Sequence, residues 1–251
     1  MLPFRAQLAI AAEYDLLLWE VEHRALSLGI LPLRYARNRD TIDTVLQRKL
    51  LESYVTIVGC GGLGGHVAEM LTRIGVGHLT LIDPDVFDEH NLNRQNFSTL
   101  DVLGEEKVQV LKRRLSSINP AVQIHPIARA LDPAHDFALI EDADVIVDAL
   151  DDPRIKLALA HTCQQHSIHF VHGAIAGMDG QLAVNTTLEH LYHDGGHGAE
   201  DAAGNLPFTA TFVAAMQAAE TVKLITDLGE SLSGQLLITD LLYNDFTHLP
   251  A

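Results

Sequence analysis

Between Phe4 and Leu28 apolar residues recur at mixed spacings of three and four, at Leu8, Ile10, Ala11, Leu16, Leu17, Trp19, Val21 and Leu26. This predicts one amphipathic helix, closed by Gly29 and Pro32. A shorter helical stretch over about 39–52 leads into Tyr54-Val-Thr-Ile-Val58, a β-branched run followed by glycines. From there strand-like runs at about 54–58, 78–82, 122–126, 144–148 and 168–172 alternate with helical stretches at about 62–74, 104–118, 132–141 and 153–166. Such alternation predicts a Rossmann-like, doubly wound α/β fold, its mainly parallel sheet carrying helices on both faces. The rhythm then changes. Gly180–Thr186 has the pattern of a strand, 188–207 is polar and rich in Gly and His, and a long helix follows at about 208–228. Gln235–Thr239 and Leu241–Phe246 have the pattern of closing strands that extend the sheet in antiparallel fashion. No repeat or linker marks a second unit. The expectation is a single domain over 1–251, with a helical extension over 1–53, a nucleotide-binding core over 54–186, and a loop, long helix and closing strands over 187–251.

A chain of 251 residues with 47% apolar content has enough material for a sizeable core. Seventeen Lys and Arg stand against thirty-three Asp and Glu, a net charge of −16, so a nucleic-acid partner would bind against a repulsive field. The two cysteines, Cys60 and Cys163, are too few for a disulfide framework, and with no C-x-x-C pair they remove a Cys-rich zinc ribbon. Fourteen histidines leave a His-based metal site open. The apolar run Leu8–Ala12 is followed by Glu13, Asp15, Glu20 and Glu22, and no stretch reaches the roughly 18 apolar residues of a membrane span. These features point to a cytoplasmic protein without export or anchoring.

Gly59-Cys-Gly-Gly-Leu-Gly64 stands at the end of a buried-type strand and opens a helix. Gly59, Gly61, Gly62 and Gly64 let the backbone approach a phosphate, and the helix N-terminus offers free N–H groups. The next strand ends in Asp83-Pro-Asp85, with Asp85 21 residues beyond Gly64, where an acidic side chain takes ribose hydroxyls. A tight strand–helix turn with surface acids is the plainer alternative. Asn91-Leu-Asn-Arg94-Gln95 and then Lys107 follow. Two cations near a nucleotide favour phosphoryl or nucleotidyl transfer over hydride transfer, because a triphosphate and its charged transition state must be held. Solvated surface is the alternative for each taken alone. Asp151 and Asp152 close the fourth strand. Asp151 offers a hard oxygen ligand for Mg²⁺, while either residue fits as the N-cap of a helix with Pro153 at its first position.

Together Gly59–Gly64, Asp83 and Asp85, Asn91-x-x-Arg94-Gln95, Lys107 and Ala-Leu-Asp151-Asp152 resemble the ThiF/MoeB/HesA adenylyltransferases, relatives of the ubiquitin-activating enzymes. The resemblance covers about 34–186 and resumes at 207–228. It implies that Asp83 and Asp85 are nucleotide-ribose acids, that Asn91, Arg94, Gln95 and Lys107 contact the triphosphate, and that Asp151 is the Mg²⁺-linked aspartate. Arg34-Tyr-Ala-Arg37 is similar to the element whose second arginine, in dimeric members, reaches into the partner's nucleotide site, which makes Arg37 a trans-acting candidate in a homodimer. The implied reaction is attack by the C-terminal glycine carboxylate of a ubiquitin-like sulfur carrier, ending in Gly-Gly, on the α-phosphorus of ATP, for thiamine, molybdopterin or a related sulfur pathway. A carboxylate is ionised at neutral pH and needs no general base. That agrees with a motif set of Arg, Lys, Asn and Asp and no Ser–His or Cys–His couple.

The chain departs from the family pattern in lacking the two Cys-x-x-Cys pairs that hold a structural zinc in many members. His190, His193 and His197 stand near the first expected pair, but beside Gly195-Gly196 they fit a polar loop, so no structural zinc is expected. No carrier-accepting cysteine is expected either, Cys60 and Cys163 fitting small core residues. The rival readings are a tRNA threonylcarbamoyladenosine dehydratase, disfavoured by the charge, an NAD-dependent oxidoreductase, which leaves Arg94, Lys107 and Asp151 idle, and a non-catalytic nucleotide-binding scaffold.

Overall fold

The computed structural model describes residues 1–38, 40–189, 191–192 and 203–250. Among them β1 (Tyr54–Val58), β2 (His78–Ile82), β3 (Gln123–Ile127), β4 (Val145–Asp148), β5 (His169–Ala176), β6 (Asp179–Val184), β7 (Gln235–Asp240) and β8 (Asp245–Pro250) form one sheet. Its order is β3-β2-β1-β4-β5-β6-β7-β8. The first five strands pair in parallel and the last three are added antiparallel. Alternate residues of β1 serve opposite faces: Val55 and Ile57 pack with α4 (Gly64–Ile74), α5 (Lys107–Ile118) and α7 (Pro207–Thr226), whereas Val58 packs with α6 (Pro153–His166). A sheet covered on both faces needs near-continuous apolar strands, which explains the Val/Ile/Leu runs. The chain runs outward from β1 to β3 and then returns to place β4 beside β1. A crevice opens at that reversal, where doubly wound sheets bind their ligands.

Four local expectations change. The helix over 4–28 is two helices, α1 (Phe4–Tyr14) and α2 (Leu18–Ser27). Asp15 turns left-handed at φ 52°, and the Glu20 carboxylate accepts from the Leu17 N–H at 2.8 Å to start α2. The apolar spacing runs on across this break, so periodicity joins what the backbone separates. The stretch at 39–52 contributes α3 (Thr44–Glu52), which begins only after Asp43 accepts from the Val45 and Leu46 N–H groups, both at 2.9 Å. The helix at 132–141 is replaced by turns and a 3₁₀ segment, Phe137–Leu139. There Asp132 accepts from the Ala134 N–H and Asp136 from the Asp132 N–H, both at 3.0 Å, competing with helical bonding. The last strand starts at Asp245, because Asp240 accepts from the Leu242 and Tyr243 N–H groups and makes 241–244 a turn. No helix among the described residues is long and apolar enough to cross a membrane.

The N-terminal layer is tied to the core through Arg34, which reaches Glu22 at 3.2 Å, Gln7 at 3.3 Å and the side chain of Asn119. Tyr35, buried beneath it, donates to Glu22 at 3.1 Å and accepts from Asn119 at 2.9 Å.

Candidate nucleotide-binding site

The glycine loop begins where β1 ends. Gly59 has φ +89°, and a Cβ there would stand 2.4 Å from the Ala149 carbonyl oxygen; one on Gly64 would stand 1.8 Å from the Gly59 carbonyl oxygen. Only glycine allows so tight a passage from strand to helix. Gly61, Gly62 and Leu63 then line a cleft of about 440 Å³ at the carboxyl ends of β1, β2 and β4, with the positive end of the α4 dipole beneath them.

Asp83, at the end of β2, accepts from the Cys60 N–H at 2.6 Å and the Asp85 N–H at 2.8 Å. Lys107, the first residue of α5 and only 6% exposed, lies 2.8 Å from Asp85 and 3.9 Å from Asp83. Burial pushes the Asp83 carboxyl above the usual carboxylate range, and Lys107 and the two N–H donors offset only part of that. Asp85 is exposed to the cleft.

A single turn after β2 sets the next three residues. Asn91 accepts from the Asp88 N–H at 3.0 Å through its side chain and from the Gln95 N–H at 3.0 Å through its carbonyl. The Gln95 amide nitrogen lies 3.3 Å from where a Gly61 Cβ would sit. The Arg94 guanidinium donates to the His90 carbonyl at 3.0 Å and the Asn93 side chain at 2.8 Å, with its stem beside Gly62. At the end of β4 the two neighbouring carboxylates divide their tasks. Asp152 caps α6, accepting from the Arg154 N–H at 2.9 Å ahead of Pro153, which leaves Asp151 exposed at the cleft.

The fold thus brings Gly59, Gly61, Gly62, Asp83, Asp85, Asn91, Arg94, Gln95, Lys107 and Asp151 to one cleft from positions spread over ninety residues of sequence. Gly64 lies behind it, shaping the turn. Arg37 is exposed and does not line the cleft of its own chain. His190, His193 and His197 lie outside the described residues. Cys60 and Cys163 are both buried. Burial and Asp83 push the Cys60 thiol well up, and burial with Asp148 pushes Cys163 up to about 12, so neither is a thiolate at neutral pH.

Sequence reasoning missed two sets of lining residues: the apolar recess of Ile82, Leu131, Leu150 and Ile155, and the polar residues His90, Arg129 and Asn205. Arg129 follows β3 and is held by Asp136 at 2.8 Å. Its place at a strand end, like that of Asp83 and Asp85, is the only signal that could have singled it out. An apolar slot for a base, acids for a ribose, a helix N-terminus for phosphates and two cations beside them fit a nucleoside triphosphate better than a dinucleotide. Among the described residues no group of three or more His, Cys, Asp or Glu could hold a metal ion. A single carboxylate such as Asp151 nevertheless suits Mg²⁺, which keeps several waters and binds largely through substrate phosphates.

The sequence pattern of the ThiF family matches residues 35–251. The chain belongs to the ThiF family. It is 32% identical over 228 residues to the SAMP-activating enzyme E1 of Haloferax volcanii, covering 86% of this chain and 84% of that protein. It is 31% identical over 212 residues to the molybdopterin-synthase adenylyltransferase of Escherichia coli K12, covering 81% and 85%. With the sulfur carrier protein ThiS adenylyltransferase of Bacillus subtilis it shares 33% identity over 214 residues, covering 82% of this chain and 63% of that protein. A crystal structure of E. coli MccB with ATP superposes with a TM-score of 0.75 over 87% of this chain and 71% of that one; at 24% identity it shows the fold alone. This ThiF-family chain is an ATP-dependent adenylyltransferase. These relatives favour neither a tRNA dehydratase nor an NAD-dependent oxidoreductase.

Proposed function

We propose that this enzyme adenylates the C-terminal glycine carboxylate of a small ubiquitin-like sulfur carrier ending in Gly-Gly, in the cytoplasm, for thiamine, molybdopterin or a related sulfur pathway. The observation that carries the reading is the convergence of Arg94 and Lys107 on one cleft with the glycine loop and Asp151, without a nucleophile–base couple among the lining residues described. The names of the relatives, which act on SAMP, ThiS and molybdopterin synthase, support the same acceptor class.

In this reading Asp83 and Asp85 take the ribose hydroxyls, the Gly61–Gly62 backbone and the α4 N-terminus take phosphate oxygens, and Asn91 and Gln95 hold the triphosphate in line. The incoming carboxylate attacks the α-phosphorus, the bond to the β-phosphate oxygen breaks, and acyl-adenylate and pyrophosphate result. Both reactants are anions, so the protein's task is alignment and charge offset, which Arg94 and Lys107 perform. Asp151 would hold Mg²⁺, which when bound neutralises phosphate charge. Arg37 completes the site of the other subunit in a homodimer, consistent with its exposure away from its own cleft.

ATP–pyrophosphate exchange tests the reaction directly. Exchange should depend on a Gly-Gly-terminated carrier and vanish when its last glycine is removed; exchange indifferent to every such carrier overturns the reading. For the shared site, inactive Arg37→Ala and Asp151→Ala homodimers should regain about a quarter of wild-type activity after subunit exchange, since each mixed dimer holds one intact site. No recovery after verified exchange removes the trans role.

A further inference from the structure

Asn205 lies in a segment pinned on two sides. The Gly177 N–H donates to the Gly204 carbonyl at 2.7 Å, and the Asn93 side chain donates to the Asn205 carbonyl at 3.0 Å. Thr209, in the first turn of α7, donates to the Gly177 carbonyl at 2.8 Å and locks the same junction. A Cβ on Gly62 would touch both the Arg94 stem, at 3.4 Å, and Ala210, at 3.7 Å, so the glycine loop, Arg94 and the start of α7 converge beside this segment.

Asn205 is among the residues that line the cleft, and its Oδ1 is buried with no hydrogen-bond partner among the described residues. Buried acceptors are almost always paired, because an unpaired one carries its full desolvation cost. A rigidly mounted, unpaired carbonyl oxygen at a ligand cleft therefore points to a donor supplied by the ligand. Phosphates supply none, as they only accept, and in the reading above the adenine amino group goes with the base to the apolar recess of Ile82, Leu131, Leu150 and Ile155. The ribose hydroxyls are claimed by Asp83 and Asp85 at the end of β2, whereas Asn205 stands beside Asn93 and Arg94. An attacking carboxylate also brings no donor, but the peptide group that precedes it brings one N–H. A carboxamide matches a peptide unit, its oxygen taking the N–H while its NH₂ donates to a carbonyl or carboxylate.

We propose that Asn205 is a specificity-determining residue whose carboxamide takes the peptide N–H of the acceptor's last residue, so that the site selects an extended peptide tail over a free small acid. This rests on the carrier reading above. It assigns the acceptor subsite to the junction between Gly204 and α7, on the phosphate side of the cleft.

The test is a coupling cycle in carrier-dependent ATP–pyrophosphate exchange. Semisynthetic ThiS would end either in glycine or in N-methylglycine, which lacks the N–H, and each would be assayed with wild type, Asn205→Leu and Asn205→Asp. Wild type should lose roughly tenfold in kcat/KM for the carrier when the N–H is methylated, the scale of one hydrogen bond. Asn205→Leu should start roughly tenfold lower with the glycine form and no longer distinguish the two, while its KM for ATP stays within about twofold. Asn205→Asp keeps an acceptor oxygen and should keep the preference at a higher carrier KM, since its charge repels the carboxylate; Asn205→Ala replaces Asn205→Leu should the latter fold poorly. Additive penalties, with Asn205→Leu still preferring glycine, overturn the inference and leave the carrier reading standing. Absence of exchange with ThiS and every other Gly-Gly carrier overturns both.

Discussion

β2 and β4 both flank β1, and each delivers an aspartate to a buried lysine from the helix that follows it: Asp83 to Lys107 of α5, and Asp148 to Lys156 of α6. The two pairs differ in how completely the protein itself satisfies the carboxylate. Burial acts to raise the Asp148 carboxyl, but Lys156 at 3.3 Å, His172 at 2.7 Å and the Leu150 N–H at 3.0 Å outweigh it and hold Asp148 below the usual range. Lys156 also donates to the Gly173 carbonyl and His172 meets the Tyr192 hydroxyl, so the cluster ties β4, α6 and β5 together beneath the cleft. Asp83 is pushed the other way: burial raises it, and Lys107, drawn 2.8 Å to Asp85 and 3.9 Å from Asp83, offsets only part of that. A sealed, satisfied carboxylate builds the floor, and an under-satisfied one at the cleft is ready for donors from a ligand.

The largest expected effect follows from breaking the sealed pair. Lys156→Met strands Asp148 in the interior and should cost about 3–5 kcal/mol, whereas Lys107→Met, beside an acid that keeps its Cys60 and Asp85 N–H donors, should cost less than about 2 kcal/mol. Urea unfolding monitored by circular dichroism separates them, and equal losses would erase the distinction. In the ATP–pyrophosphate exchange assay the ranking should reverse in kind. Lys107→Ala and Arg94→Ala, still folded, should each slow adenylation by roughly 10²–10³ at saturating ATP, the usual loss for one group that stabilises developing charge. A variant with near-normal exchange would reduce that residue to surface charge.

The two clusters also predict opposite slopes of stability with pH. His172 is lowered from 6.5 by burial first and by Lys156 second, so below about pH 6.5 the unfolded chain binds a proton that the folded one refuses. Its contribution is complete above that pH and is lost as pH falls toward the folded value; Asp148, lowered from 3.8, extends the loss to lower pH. Asp83, raised from 3.8, works in reverse, since the folded state holds the extra proton just above 3.8 and stability declines as pH rises through its folded value. Urea midpoints across pH 4.5–7.5 should flatten in His172→Gln toward the acid side, by up to about 1.4 kcal/mol per pH unit. Asp83→Asn should steepen the net acid loss. An unchanged profile in both variants would mean that neither group titrates differently on folding.

What was legible in the sequence divides along the same line. Asp83, Asp85, Arg94, Lys107 and Asp151 follow strand ends at fixed spacings, and parallel strands force such positions toward one crevice. Lys156 and His172 carry no such signal: each stands alone in its segment, and only the pairing of β4 with β5 brings His172 to Asp148. Asn205 was invisible for the same reason, and Arg129 offered only its place after a strand end. The sheet alternation was legible because buried parallel strands are continuous apolar runs. The break at Asp15 and the missing helix at 132–141 were not, since a left-handed residue and side chains capturing backbone N–H groups leave apolar spacing untouched.

The smallest effect sharpens the contrast within a single pair of neighbours. Asp151 and Asp152 have the same charge and adjacent positions, yet only Asp152 accepts from a helix N–H, that of Arg154. Removing a cap of this kind costs about 1 kcal/mol, which in a chain of this size is a fall in Tm of roughly 2–4 °C. Asp152→Ala should show that fall and keep adenylation within about threefold, because the α6 start is also held by Pro153 at its first position. Asp151→Ala should leave Tm within about 1 °C, since an exposed carboxylate outside any cap contributes little, and should lose most of its exchange activity. A melting-temperature loss in Asp151→Ala equal to that of Asp152→Ala would make Asp151 part of the helix start and free it from the cleft chemistry assigned to it.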